Sequence, residues 1–265
     1  MMIKQQLEDF KLWFGRFAAG FYKDGDTFLN ENIRLKECHT HRVCKEMRDL
    51  AAALNMNPSD SILAEAIALF HDVGRFPQFQ KYRTYKDTIS ENHCLMSLKV
   101  MEEQQLLVPL PADEKEIIVK AVEFHGAKEI PPMDKRSTHF TQMIRDTDKI
   151  DIFTLLVENY RILKETPEKF KWELEFPNTP ECSPAIIEAL MNGRPVDYRE
   201  LRTINDAKLL QIGWVFDINF DYSLRQLYQR NYLKAVIDLL PQDGPARAAS
   251  DFVMSYTKKR LAIIN

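Results

Sequence analysis

Eight glycines in 265 residues leave this chain little material for reversing direction. An all-β fold of that length spends glycine on its many tight turns, so the scarcity points to helices joined by few connections. Apolar spacing agrees. Ile3, Leu7, Phe10, Phe14 and Phe17 recur at intervals of three and four, which predicts an amphipathic helix over residues 3–22. The same pattern predicts helices over about 29–55, from a Ser59 or Asp60 cap to Gly74 and Pro77, and over about 90–105, 112–125 and 137–164. Residues 76–90 read as a loop. A proline-bearing stretch (Pro167, Pro177, Pro180, Pro184) then interrupts the chain, followed by helical patterns near 184–192, 198–240 and 245–263. The short alternation from Trp172 to Phe176 is the one strand-like segment. The expected fold class is all-α, with residues 1–165 as a helical-bundle core that includes the N-terminal helix. Residues 166–265 are expected to be a helical extension packed on that core as one compact unit.

The chain is long enough to bury a sizeable core, and its 45% apolar and 28% charged residues are those of an ordinary globular protein. A net charge of −3 supplies no global basic field, so neither duplex nucleic acid nor an acidic membrane surface is an expected partner. Cys38, Cys44, Cys94 and Cys182 form no CxxC pair and read as reduced thiols of a cytoplasmic protein. No signal-peptide core and no run of about 18 apolar residues is present, so no membrane span is expected.

Chemistry concentrates at His71-Asp72, the end of the apolar run Ala64-Glu65-Ala66-Ile67-Ala68-Leu69-Phe70. Burying an imidazole beside a carboxylate costs several kcal/mol unless something pairs with both, and a divalent cation is a common partner. Helical phase finds companions for them. His39 shares a stripe with Val43, Met47, Leu50 and Leu54, whereas His41 lines up with Lys45, Arg48 and Asp49 on the wet side. His93 falls with Met96, Ser97 and Val100, and His125 continues Ile118, Ala121 and Val122. Asp148 shares a face with Ile144, Ile152 and Leu155. Asp146 shares one with Met143, Ile150 and Phe153, so phase alone does not choose between these two aspartates. Isolated buried histidines are usually hydrogen-bonded core residues. Several on successive helices would each need a partner, and one or two shared cations satisfy them together.

The H-x-x-R-V of His39 to Val43, the HDVGRF of His71 to Phe76 and the D-x-D-K-I-D of Asp146 to Asp151 resemble the motifs of the HD-domain superfamily of metal-dependent phosphohydrolases, over about residues 28–165. The resemblance selects Asp148 over Asp146 and implies metal ligation by His39, His71, Asp72 and Asp148. With His93 and His125 added, the chain resembles the subset that holds two ions, Asp72 bridging them. Iron or manganese suits such a donor set, with zinc, nickel, cobalt or magnesium as alternatives. The paired His-His and Gly-Tyr-Pro of the cyclic-dinucleotide phosphodiesterases are absent, as is the Glu-Asp that follows the pair in guanosine-tetraphosphate hydrolases.

The implied reaction is hydrolysis of a phosphate monoester or phosphodiester by metal-activated water, with Asp72, Arg75 and Lys149 as catalytic candidates. Arg75, Lys81, Arg83 and Lys86 are candidate contacts to a small phosphorylated substrate. Phe76, Phe79, Tyr82 and Tyr85, interleaved with them, would suit a nucleotide, or would simply anchor the loop on the core. Two other readings stay open: a di-iron oxygenase of the same superfamily, and a regulatory module that keeps its metal without turnover. The aromatic C-terminal hundred residues serve as a helical cover, a substrate lid or a homodimer interface.

Overall fold

In the computed structural model residues 3–166 and 176–262 are described, so all but the last residue of the Trp172–Phe176 alternation lies outside the described residues. No strand occurs among those described, and the fold is all-α. None of the described helices is long and apolar enough to cross a membrane. The chain divides into two compact units, Met1–Asp151 and Ile152–Asn265.

The first unit contains α1 (Lys4–Ala19), α2 (Thr27–Ala53), α3 (Pro58–Phe70), α4 (Arg75–Tyr82), α5 (His93–Glu103), α6 (Ala112–Phe124) and the N-terminal part of α7 (Lys135–Glu165). Its centre is α3, buried on every side from Leu63 to Phe70, as befits a helix that is apolar all round. It packs against α1, α2 and α6, while α4 touches α2 and α5, and α5 lies along α6. Phe10 and Trp13 of α1 set their rings edge-on to Phe70. Phe10 and Phe70 are buried, and burying such a side chain fully contributes roughly 1.5–3 kcal/mol. Glu65, buried within α3, is neutralised by Lys11 at 2.9 Å and Arg48 at 2.7 Å.

Local chemistry sets the ends of these helices. Asn57, rather than Ser59 or Asp60, caps α3: its side chain accepts from the Asp60 amide, and Pro58 takes the first helical position, where a missing N–H costs nothing. The segment 76–90, expected as loop, begins with helix α4. Gly74 is its N-cap and Pro77 falls in its first turn, so neither residue stops a helix here. Phe76 and Phe79 are fully buried, Phe76 against Phe14, Phe17 and Phe21, and Phe79 against Phe28 and Tyr85. These two aromatics are core.

In the second unit α8 (Pro184–Met191), α9 (Ile204–Gly213) and α12 (Gly244–Arg260) pack on one another. The long helical pattern expected over 198–240 is broken into pieces: α9, a 3-10 turn at Trp214–Asp217, α10 (Asp221–Gln229) and α11 (Tyr232–Ile237). Asn231 takes a left-handed backbone (φ 58°), which asparagine tolerates, to separate α10 from α11. Arg260 donates to the Ile218 and Asn219 carbonyls that the interruption leaves without helical partners.

Candidate metal centre

The site is assembled by helix ends. His71 caps the C-terminus of α3 and His125 that of α6, each donating from Nδ1 to the carbonyl three residues back, Ala68 and Val122, at 2.7 Å. His39 and His93 are held from afar. His39 Nδ1 lies 2.6 Å from Asp151 Oδ2, and Arg42 grips that carboxylate with two further bonds. His93 Nδ1 lies 2.5 Å from Asp87 Oδ2, a carboxylate also held by Arg75 and Gln78. Each Nδ1 therefore carries the proton, and all four Nε2 atoms present lone pairs.

Those lone pairs converge. His39 Nε2 is 3.3 Å from His71 Nε2, and His93 Nε2 is 3.2 Å from His125 Nε2. Bare lone pairs repel at such distances, so each pair calls for a proton or a cation. Asp148 Oδ1 stands 3.2 Å from His39 Nε2 and 3.8 Å from His71 Nε2. Asp72 Oδ2 is 3.5 and 3.7 Å from the same two nitrogens. The other oxygen of Asp72, Oδ1, is 3.8 Å from His93 Nε2 and 3.7 Å from His125 Nε2. Asp72 thus stands between two histidine pairs, one oxygen toward each. Its Oδ1 is buried without a hydrogen-bond partner, the nearest cation in the chain being Arg75 Nε at 3.5 Å, so it keeps acceptor capacity for a bound ion. Donor atoms 3.2–3.8 Å apart suit ions with bonds of about 2.0–2.2 Å. The donors fit a divalent metal.

The electrostatics ask for positive charge in each half. Burial and Lys36 oppose a proton on His39, yet Asp148, Asp151 and Asp72 outweigh them and raise its pKa to about 10. Burial likewise opposes protonation of His125, and Cys94 and Asp72 raise it to about 10. For His71 burial prevails and takes the pKa down to about 4. Burial raises the Asp72 and Asp148 carboxyls; Lys36 and the histidines around Asp72, and His39 and His71 around Asp148, outweigh it and hold both below the usual carboxylate range.

Close backbone packing brings α5 to the pair. The Gly74 N–H donates to Ser97 Oγ and the Ser97 hydroxyl donates to the His71 carbonyl, both at 2.9 Å. A Cβ on Gly74 would stand 2.5 Å from the His93 carbonyl oxygen and nearer still to the Ser97 nitrogen, so only glycine admits this contact. Arg145 secures the other side by donating to the Phe124, His125 and Ala127 carbonyls at the end of α6.

All six side chains nominated as metal ligands meet here: His39, His71, Asp72, His93, His125 and Asp148. His41 is exposed, edge-on to Phe14, and Asp146 is fully buried in α7. The carboxylate that orients His39 is Asp151. Among the cations nominated for catalysis or substrate, Arg75 reaches the centre, 3.5 Å from Asp72 Oδ1, but one of its nitrogens is bound to Gln78, Tyr85 O and Asp87. Lys81 pairs with Glu91 and Arg83 with Asp26, both exposed. Lys86 and Lys149 are half-buried, Lys149 beside Asp148 in sequence.

Several neighbours escaped the sequence reading. Lys36 Nζ is 2.8 Å from Asp72 Oδ2, and its place one turn before His39 on α2 was the available signal. Asp151 stands one turn after Asp148. Asp87 sits in a short 3-10 turn (Asp87–Ile89), where no periodicity marks it. Cys94 Sγ is 3.4 Å from His93 Nε2 and 3.6 Å from His125 Nδ1. Burial alone would raise that thiol, but His125 and His93 draw it down to about 6.

Residues 37–167 match the family model described as HD domain. Neither the curated proteins nor the solved structures contain a match to the chain. The matched segment runs from just before His39 to beyond Asp148 and so takes in every histidine and aspartate of the cluster; residues 37–167 are an HD domain.

Proposed function

We propose that this chain is a metal-dependent phosphohydrolase acting on a small phosphate ester, with two cations sharing Asp72. One ion is assigned to His39, His71, Asp148 and Asp72 Oδ2, the other to His93, His125 and Asp72 Oδ1. The single observation that carries the reading is Asp72 itself: one carboxylate, buried, with an oxygen facing each of two converging histidine pairs. When bound, divalent cations at these positions supply charge neutralisation at phosphoryl oxygens and draw the pKa of water toward neutrality.

The chain's own residues set where a substrate enters. His39, His71 and Asp72 are closed off, whereas Asp148 (18% exposed), Lys36 (15%) and Arg75 (14%) form an open rim. Lys36 is the cation on that rim best placed to meet a phosphoryl oxygen, and it lies 5.3 Å from the Tyr85 ring centroid. Arg75, with one bond to Gln78 in its own helix and two to the loop that follows, holds Asp87 and Tyr85 in place instead. Lys81 and Arg83 have no part in this reading, because each is spent in an exposed ion pair.

The test is hydrolysis in 18O-labelled water by protein reconstituted with manganese, iron, zinc or cobalt, against phosphomonoesters, diphosphates, cyclic nucleotides and dinucleotides. Label appearing in the phosphate product is expected. Dioxygen consumption in place of label transfer would replace this reading with oxygenase chemistry.

A further inference from the structure

We propose that Cys94 is a ligand of the second cation, so that this half of the centre is a His93–Cys94–His125–Asp72 site selective for borderline and soft divalent ions. The inference rests on the two-cation reading above. One donor atom each from His93, Cys94 and His125 lies within 4.8 Å of the others, and all three residues are buried. The Sγ···Nε2 separation to His93, 3.4 Å, is close to the value of about 3.6 Å expected between a sulfur and a nitrogen on one tetrahedral ion with bonds of about 2.3 and 2.0–2.1 Å. The separate observation that a cation is wanted at this spot is Asp72 Oδ1, buried, without a hydrogen bond even though Arg75 Nε stands 3.5 Å away, and facing His93 and His125 at 3.8 and 3.7 Å.

The pocket wall also fixes the thiol. A Cβ on Gly126 would stand 3.1 Å from Cys94 Sγ and 3.0 Å from His93 Cε1, so the glycine after His125 gives sulfur and imidazole the space to lie side by side. The first half of the centre has imidazole and carboxylate donors alone. A sulfur donor in the second half shifts its preference toward zinc, cobalt or ferrous iron and away from magnesium and manganese. On binding, the thiol proton leaves to solvent and the sulfur–metal bond takes its place.

The experiment uses the full chain loaded anaerobically with cobalt(II), reading absorbance and metal content together. Two equivalents with a near-ultraviolet sulfur-to-cobalt charge-transfer band are expected. Cys94→Ser and Cys94→Ala should each lose the band and fall toward one equivalent, while Cys38→Ser, Cys44→Ser and Cys182→Ser keep it. Two equivalents without the band in the unaltered protein would overturn the role of Cys94 and leave the two-cation reading standing. One equivalent with a Cys94-dependent band would do the reverse, and one equivalent without a band would remove both. A band that survives Cys94→Ser would also overturn the assignment. The unaltered protein decides the main question, so a poorly folded variant does not shield the proposal.

Discussion

The two halves of the centre are built on one plan with different materials. In each, one histidine is fixed by its own helix end and one by a distant carboxylate gripped by an arginine: His71 and His39 in the first half, His125 and His93 in the second. The difference lies in the distant carboxylate. Asp151 rides on α7 with 2% of its side chain exposed, whereas Asp87 sits in a loop with 31% exposed. A hydrogen bond sealed from water is stronger and holds its geometry better than one that water can replace. The first half is therefore the rigid one, and the second is the half that should exchange its ion. That asymmetry, rather than the donor count alone, makes the proposed two-cation site testable.

The harshest way to break the comparison is to remove what the halves share. Asp72→Ala deletes both oxygens and leaves Lys36 facing four converging imidazoles, so metal content should fall to near zero by elemental analysis. Retention of one full equivalent would show that the halves do not depend on a common carboxylate. Next in size is a pair of single losses. His93→Ala should leave about one equivalent in the first half, while His39→Ala should drain the rigid half and abolish turnover. Equal loss in both variants would mean that the halves fill as one unit.

The two kinds of support also explain what the sequence could reveal. Residues on or at the ends of helices were legible: phase pointed to His39, His71, His93 and His125, the end of the apolar run to Asp72, and the family resemblance to Asp148 where phase left Asp146 open, while glycine scarcity with apolar spacing pointed to an all-α fold. Residues whose role comes from tertiary approach were not. Asp87 and Arg75 meet because α4 forms where a loop was expected, on the strength of Phe76 and Phe79 being core. Lys36 and Cys94 carried only the weak signal of adjacency to a histidine. The continuous helix read over 198–240 failed for a related reason: apolar spacing persists through the segment, but the Asn231 turn and the carbonyls taken by Arg260 are choices of packing.

Substituting the orienting carboxylates sharpens the comparison further. Loss of a partner that fixes a metal-ligating histidine typically costs 10- to 100-fold in affinity or activity. Asp151→Asn should lie near the upper end, because water cannot substitute in that buried place and Arg42 loses its counter-charge. Asp87→Asn should lie near the lower end, since half-exposed surroundings let water take over part of the bond. Competition titrations with a chelating dye would rank them. The reverse order would contradict the claim that the first half is the rigid one.

The smallest expected effect belongs to Ser97, which ties the two halves together through backbone groups and bonds to no imidazole. Its hydroxyl accepts from the Gly74 N–H and donates to the His71 carbonyl, so Ser97→Ala strands two buried backbone groups at a cost of roughly 1–3 kcal/mol, visible as a lower denaturant midpoint. The geometric consequence is selective. His71 keeps its own bond to Ala68, and His39 keeps Asp151, so affinity for the first ion should stay within about twofold. The start of α5 is freed from the turn after Asp72, and His93 with it, so the second ion should bind a few-fold more weakly. An equal loss at both sites would show that Ser97 supports the turn after α3 and not the placement of α5, and the asymmetry drawn here would have to come from Asp87 alone.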